Sequence, residues 1–588
     1  MSLLPIVVGA ALILGIAYLT YGRLLSRLLR LDDRQPTPAV ELRDDVDFEP
    51  VKSPFLLGQH FSAIAAAGPI VGPILAGLAF GWIPAFLWIL LGSILIGGVH
   101  DMTALVSSIR HRARSVTEVV REHISRRAYL LFLTFVWIAL VYIIVAFTDI
   151  TARSFVGSQT LENGEQVSGA GIAMSSLLYL ILPVLMGLAI RKARVPLHWA
   201  TLIFVPLVGV AIWAGQYAPL DLQNWLQLSE ATTVKLWCTL LLMYCLVAAV
   251  VPVWLLLQPR GYMGGIFLYV ALAGAAIGIV MGNQTIQYPG FVAWTSKSGE
   301  TLFPFLFITI ACGACSGFHS LICSGTTSKQ LAKESDARPI GYGSMLLEAL
   351  VAVISLCCVM MFAKGSAELA GATPNTVKTP NMIYAMGMGA FLETVGVPAK
   401  FAIAFALMAF TTFVYDTLDV CTRLGRFIIQ ELTGLKGSAG RWLGTALTAG
   451  FPLFFLWNAG LDEQGKPVQV WRVFWSLFGA SNQLLAALTL LGVTVWLWRT
   501  RRAAWVWFVV GLPTVLMYTM STWALCQMTL PAFFVEGRLT APVGIVPWVG
   551  IVLIALAVWM LFEALLAVFE KPSDTKPTPS NLAVTPGS

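Results

Sequence analysis

Gly68 to Pro73 read GPIVGP, inside the run HFSAIAAAGPIVGPILAGLAFGW that extends from His60 to Trp82. The rest of that run is apolar enough to cross a bilayer, yet two glycines and two prolines in six residues oppose a continuous helix. In hydrocarbon, a backbone group released from a helix must be met by protein, water or ligand. A break at that depth is therefore expected only where it lines a cavity. One half-helix then offers bare N–H groups with partial positive charge, and the other offers bare carbonyls. The first suits a carboxylate and the second a cation.

Composition agrees with a bilayer setting. Of 588 residues, 57% are hydrophobic and only 11% charged, with a mean hydropathy of +0.79. A water-soluble chain of this length could not bury that much apolar surface, so the fold class is an all-α polytopic integral membrane protein. The opening run LLPIVVGAALILGIAYLTYGR, from Leu3, has its basic residues after the apolar stretch, the reverse of a signal peptide, and reads as a retained helix. Apolar runs of about 20 residues predict fifteen transmembrane helices. They begin near Leu3, Gly58, Pro84, Tyr129, Ile172, His198, Leu236, Gly265, Leu302, Gly343, Phe401, Arg441, Trp471, Ala503 and Val543, and Gly371 to Pro398 has room for a further short segment.

Charge fixes an orientation. Alternate loops, among them RLLSRLLRLDDR, RHRARSVTEVVREHISRR and RTRR, together with Arg260 and the tail, hold most of the 37 Lys and Arg. By the positive-inside rule these face the cytoplasm, which predicts a periplasmic N-terminus and a cytoplasmic C-terminus. The opposite loops, QTLENGEQVSG and LDEQGKPVQ among them, lean acidic. Topology thus explains the net charge of +7, and no nucleic-acid partner is called for. The nine cysteines fall in or beside helices, which argues against structural disulfides. The chain divides into four regions: 1–54, a first helix and cytoplasmic loop; 55–400, the main region; 401–570, the C-terminal helices; and 571–588, a disordered cytoplasmic tail rich in Pro, Ser and Thr.

A second interrupted span lies at Phe303 to Leu331, FPFLFITIACGACSGFHSLICSGTTSKQL, loaded with Gly, Ser and Thr around His319. It is the ninth span and GPIVGP lies in the second, so the two cross the membrane in opposite senses. Such a pair predicts an inverted-repeat (LeuT-like) core with two broken helices and a binding site between them. Gly68, Pro69, Gly72 and Pro73 in the first, with Ser316, Gly317, His319 and Ser324 in the second, are the expected substrate-binding residues. Cys312, Cys315, His319 and Cys323 share one helical face, but they spread over about 16 Å and cannot converge on one ion. They read as small residues for close packing, and no metal ligand is assigned.

Ionisable residues within spans are costly and hence functional candidates. His100 and Asp101 stand near the inner end of the third span, as a proton-handling pair or as anchors of the basic loop after it. In the eleventh, Thr412, Asp416, Asp419 and Arg423 form one polar stripe that must face protein or water. Asp419 with Arg423 reads as an ion pair at the cytoplasmic end. His60, just before the first break, reads as a substrate ligand or, in preference, a capped-turn residue, and Glu348, Asp149 and Arg153 read as interfacial.

The stretches HFSAIAAAGPIVGPILA, GGVHDMTALVSSIRHRARS, GACSGFHSLICSGTTSKQLAKESDARPIGYGSMLLEAL and DTLDVCTRLGRFIIQEL resemble signature segments of the carbon starvation protein A family of bacterial inner-membrane transporters. The resemblance implies a secondary carrier of the amino acid–polyamine–organocation superfamily, taking up peptides or pyruvate during nutrient starvation, in some members with protons. In that superfamily the corresponding helix supplies hydroxyls to a cation site near the first break. By that implication Asp416, with Thr411 or Thr412 and carbonyls near Gly68, is the candidate for coupling to H⁺ or Na⁺, and Asp419, His100 and Asp101 are further ion-coupling candidates. The expected mechanism is alternating access around the two breaks. No Walker loop, dinucleotide fingerprint or zinc-hydrolase motif is present, and no cofactor is expected. The rival readings are a channel and a membrane-embedded metal-binding enzyme or sensor.

Overall fold

The computed structural model describes every residue except Met1 and 45–47, 161–165, 253, 371–377, 436, 461–467, 536, 543 and 570–588. The tail 571–588, the charged residues of the two acidic loops and the start at Val543 lie outside the described residues. Among those described, twelve helices are long and apolar enough to cross a membrane. The pair Ser53–Ile64 and Gly68–Phe80, bent by 46°, makes a thirteenth span if read as one.

The difference from fifteen has physical causes. The ninth expected span is broken into Leu302–Thr309, Ala311–Ala314 and Phe318–Gly325. The twelfth, Gly437–Trp457, is a 21-residue helix whose apolar character is diluted by its glycines and threonines. The stretch from Gly371 to Pro398 contains the short helix Pro380–Thr394.

Local chemistry sets several helix ends. Ser125 Oγ accepts from the Ala128 amide at the start of Arg126–Ser154, and Ser229 Oγ from the Thr232 amide at the start of Glu230–Val250. The 35-residue helix Ala399–Thr433 stops at Gly434, which takes the left-handed conformation (φ 71°) that a side chain resists.

The two most deeply buried spans are also among the least apolar. Ala399–Thr433 and Val470–Arg501 are each 94% buried in their most apolar stretch, with mean hydropathies of only 1.6 and 1.4. The peripheral Val546–Phe569 is 28% buried with a value of 2.7. The two helices that carry Asn482, Gln483, Asp416 and Asp419 are thus taken out of lipid, whereas Arg126–Ser154, with a mean hydropathy of 2.8, is itself 72% buried.

The first break lies earlier than expected. Gly68 opens the helix Gly68–Phe80 with Pro69 in its first turn, and the chain leaves helical geometry at Ala65 (φ −77°, ψ 61°). Proline in the first helical turn loses no intrahelical hydrogen bond and already has the required φ, so Gly-Pro begins a half-helix here where it was expected to unwind one. The second break is centred on Cys315, which is extended (φ −163°, ψ 115°).

The two interrupted helices meet. A Cβ on Gly68 would lie 2.2 Å from Cys312 Sγ, and one on Gly72 would lie 2.4 Å from the Thr309 carbonyl oxygen. From the other side, a Cβ on Gly317 would lie 2.4 Å from the Asn482 carbonyl oxygen. The second interrupted helix is thus held between Gly68–Phe80 and Val470–Arg501.

Candidate functional site

Two buried polar clusters flank the first break, and the elements above determine which residues enter each. In the first, Arg260 projects from the opening turn of Leu257–Met281 onto Ala399–Thr433, where Asp416 and Asp419 lie three residues apart on one face. Arg260 Nε donates to Asp416 Oδ1 at 2.5 Å and Nη2 to the Tyr415 carbonyl at 3.2 Å, while Nη1 meets Asp419 and the Tyr244 hydroxyl. Tyr244 in turn donates to Asp419 Oδ2 at 2.8 Å. Ser62, in the half-helix before the break, donates to Asp416 Oδ2 at 2.5 Å. Arg260 is fully buried. A buried guanidinium is tolerable only when its charge is matched and its fork filled, and two carboxylates, a hydroxyl and a carbonyl do both.

This arrangement corrects two sequence expectations. Arg260 is no loop residue. Its guanidinium stands beside Asp416, the candidate for coupling to H⁺ or Na⁺. Asp419 pairs with Arg260, and Arg423 reaches instead to the Ala248 and Val251 carbonyls, each at 2.7 Å. Thr411 donates to the Met408 carbonyl and lies 3.1 Å from Ser176 Oγ. Thr412 Oγ1, one turn before Asp416, is buried with no hydrogen-bond partner.

The second cluster surrounds His319, at the start of Phe318–Gly325. Its Nδ1 is 2.8 Å from Asp101 Oδ2, and its Nε2 is 3.2 Å from Glu348 Oε2, in contact but out of hydrogen-bond alignment. The other oxygen of Asp101 takes His100 Nδ1 at 2.7 Å, and the Asp101 carbonyl accepts from the Cys323 thiol at 3.5 Å. All four ionisable side chains are fully buried. Glu348 is therefore part of the site, not interfacial as expected. Asp149 and Arg153 do pair, with Arg153 Nε 3.1 Å from both Asp149 oxygens, and Asp149 also accepts from the Trp471 amide.

Stretches of π-helix assist this convergence. Ser93–Gly97 precedes His100 and Asp101, and Arg338–Gly343 precedes Glu348. An extra residue in a turn rotates the rest of the helix about its axis, re-aiming both helices toward one centre. Gly341 lets the two cross backbone to backbone, since a Cβ there would be 2.8 Å from Met102 Cα.

Asn482 finishes the second break. Its carbonyl takes the Gly317 amide at 3.1 Å, its Oδ1 takes the Phe318 amide at 2.9 Å, and its Nδ2 donates to Ser316 Oγ at 3.0 Å. Two of the half-helix amides expected to meet substrate are thus satisfied by a side chain and a carbonyl from Val470–Arg501. Ser324 donates back to the Ser320 carbonyl at 2.7 Å. The Cys face is occupied in the same way, with Cys312 Sγ accepting from Asn482 Nδ2 at 3.5 Å.

His60 joins the two clusters. Its Nδ1 is 2.8 Å from Thr327 Oγ1, and its Nε2 is 4.0 Å from Cys323 Sγ. A cavity of about 20 Å³ touches Gln59, His60, Ala63, Thr327 and Asp416, enough for about one water molecule.

Sequence reasoning singled out Asp101, His319 and Asp416, placed Glu348 at the interface, and passed over Arg260, Ser62, Tyr244 and Asn482 as members of these clusters. Asn482 and Gln483 offered a signal, two adjacent amides within an apolar run. Arg260 offered none, because an arginine at a span's edge looks like a topology determinant.

Residues 2–382 and 366–524 match the family model described as Carbon starvation protein CstA. The chain is 33% identical to the peptide transporter CstA of Helicobacter pylori strain J99, over 90% of this chain and 82% of that protein. It is 30% identical to the pyruvate/proton symporter BtsT of Escherichia coli K12, over 89% and 81% respectively. Among solved structures, a manganese transporter of Eremococcus coleocola overlaps 90% of this chain and 98% of its own at a TM-score of 0.44 and 14% identity, too loose a likeness to place the core.

Proposed function

Because this chain belongs to the carbon starvation protein CstA family, we propose that it is a secondary carrier importing a small carboxylate-bearing nutrient, a peptide or pyruvate, by alternating access coupled to protons. It is a multi-pass membrane transporter. Its place in the bacterial cytoplasmic membrane, with the N-terminus periplasmic and the C-terminus inside, is supported by the basic loops, and a role in starvation by the family's name.

The observation that carries this reading is His319, held between Asp101 and Glu348 where the two interrupted helices meet. A buried imidazole with an acid on each side can take up one proton and pass it on, and its charge state decides whether the two acids repel or are bridged. Arg260 favours protons over sodium as the coupling ion. Its fixed positive charge offsets one of the two acids and, with Ser62 and Tyr244, its guanidinium occupies three of the four carboxylate oxygens of Asp416 and Asp419, which leaves a metal cation few ligands there.

The carboxylate of the substrate meets the half-helix that starts at Gly68, where the Gly68 amide and the dipole favour an anion, the Ile70 and Val71 amides being taken by the Ala67 carbonyl. A space of about one water molecule beside Asp416 admits no such substrate. Loading therefore requires the two halves at the first break to part, moving Ser62 away from Asp416. That movement links substrate entry to the charge pair, which makes alternating access the economical mechanism. An inverted-repeat core with two broken helices fits this cycle.

The test is uptake into proteoliposomes, comparing pyruvate with di- and tripeptides under imposed proton and sodium gradients. Accumulation of one substrate class driven by the proton gradient is expected. Accumulation that depends on sodium alone, or flux that neither saturates nor exchanges, overturns the proposal.

A further inference from the structure

Outside this machinery, in the Arg-rich loop after the Asp101 helix, His111, Glu122 and His123 form the one group among the described residues that brings three potential ligand atoms within 4.8 Å of one another. His111 sits immediately after Gly98–Arg110, and Glu122 and His123 close the short helix Val116–His123. His111 Nδ1 lies 2.6 Å from the Ser107 carbonyl oxygen. A carbonyl only accepts, so Nδ1 carries the proton and Nε2 is left with a bare lone pair. That bare nitrogen faces His123 Nε2 at 2.9 Å.

We propose that His111, His123 and Glu122 bind one divalent transition-metal ion of the zinc class. A carbonyl holding the far nitrogen of a histidine is the arrangement that orients metal-binding imidazoles. Two imidazoles and one carboxylate, with a water in the fourth position, is a common zinc ligand set and a poor one for magnesium or calcium. At metal–ligand distances of about 2.0–2.1 Å, neighbouring ligands of a tetrahedral ion stand about 3.3 Å apart, so the imidazoles need separate by only a few tenths of an ångström. The Glu122 carboxylate is exposed and the imidazoles are half-buried, which leaves a path for the ion. Arg499, a neighbouring cation, directs its Nη2 to the Ala567 carbonyl at 2.8 Å, and the Glu122 charge offsets it. The ion would clasp Val116–His123 to the inner end of the helix that carries Asp101.

Zinc titrated calorimetrically into the full-length, tag-free protein in detergent tests this. One ion per chain is expected, with affinity at least tenfold weaker in His111→Ala and in His123→Ala. No stoichiometric binding, or binding that persists in the double variant, overturns the site. Should the variants fail to fold, cobalt added to the native protein decides: the intense visible absorption of a four-coordinate ion is expected, and its absence refutes the proposal.

Discussion

Arg260 Nε lies 2.5 Å from Asp416 Oδ1, a contact between residues 156 positions apart that ties two spans across the first break. With Asp419 on the same guanidinium, the cluster holds one buried cation and two buried carboxylates. Removing the cation leaves both acids uncompensated, whereas removing Asp416 leaves a balanced pair. Arg260→Gln is therefore expected to destabilise the protein by about 3–5 kcal/mol, and Asp416→Asn by much less. Thermal unfolding in detergent reads the order, and the reverse order would contradict it.

Asp416→Asn should fold and insert yet lose gradient-driven uptake. Normal accumulation in proteoliposomes would remove Asp416 from the coupling role.

His319→Gln keeps a polar group between Asp101 and Glu348 but cannot carry a proton charge. Accumulation under a proton gradient should fall to the level of passive equilibration, while exchange of labelled for unlabelled substrate continues at a reduced rate. Accumulation at the native level would exclude His319 from proton transfer.

Asn482→Ala strips the Phe318 amide and Ser316 of their partner. Leaving a buried donor unmet costs about 1–3 kcal/mol, so the melting temperature should drop by several degrees. An unchanged melting temperature would mean that water replaces Asn482 without loss.

At the glycine contacts the neighbouring atom decides whether a cure exists. Gly68→Ala collides with the Cys312 side chain, so Cys312→Gly should restore its expression and stability. Gly72→Ala collides with the Thr309 carbonyl, which no side-chain change removes, and no such partner should rescue it. Rescue of both, or of neither, would show that the helices pack differently.

The features legible in the sequence are those the bilayer's rules impose. Apolar length revealed twelve of the fifteen expected spans as single long helices among the described residues, and Gly, Pro and Ser inside spans revealed that two others are interrupted. The exact break was misplaced because proline's ability to begin a helix is invisible until the helix start is known, and Ala65 to Ala67 carry no mark. Asp101, His319 and Asp416 stood out as charges in apolar surroundings. Their partners did not, because pairing across 156 or 218 positions is a property of the packing. Glu348 illustrates the limit: its distance along the helix from the membrane face suggested an interface, and the π-helical stretch before it turned it inward.

Where main chain rests on main chain, mutational drift has one direction only. Alanine, the smallest increment, already overlaps an oxygen at both Gly72 and Gly317. Homologues that keep this junction should retain glycine at both places even as the surrounding apolar residues interchange freely, and a sequence with larger residues at both should prove to be joined in another way.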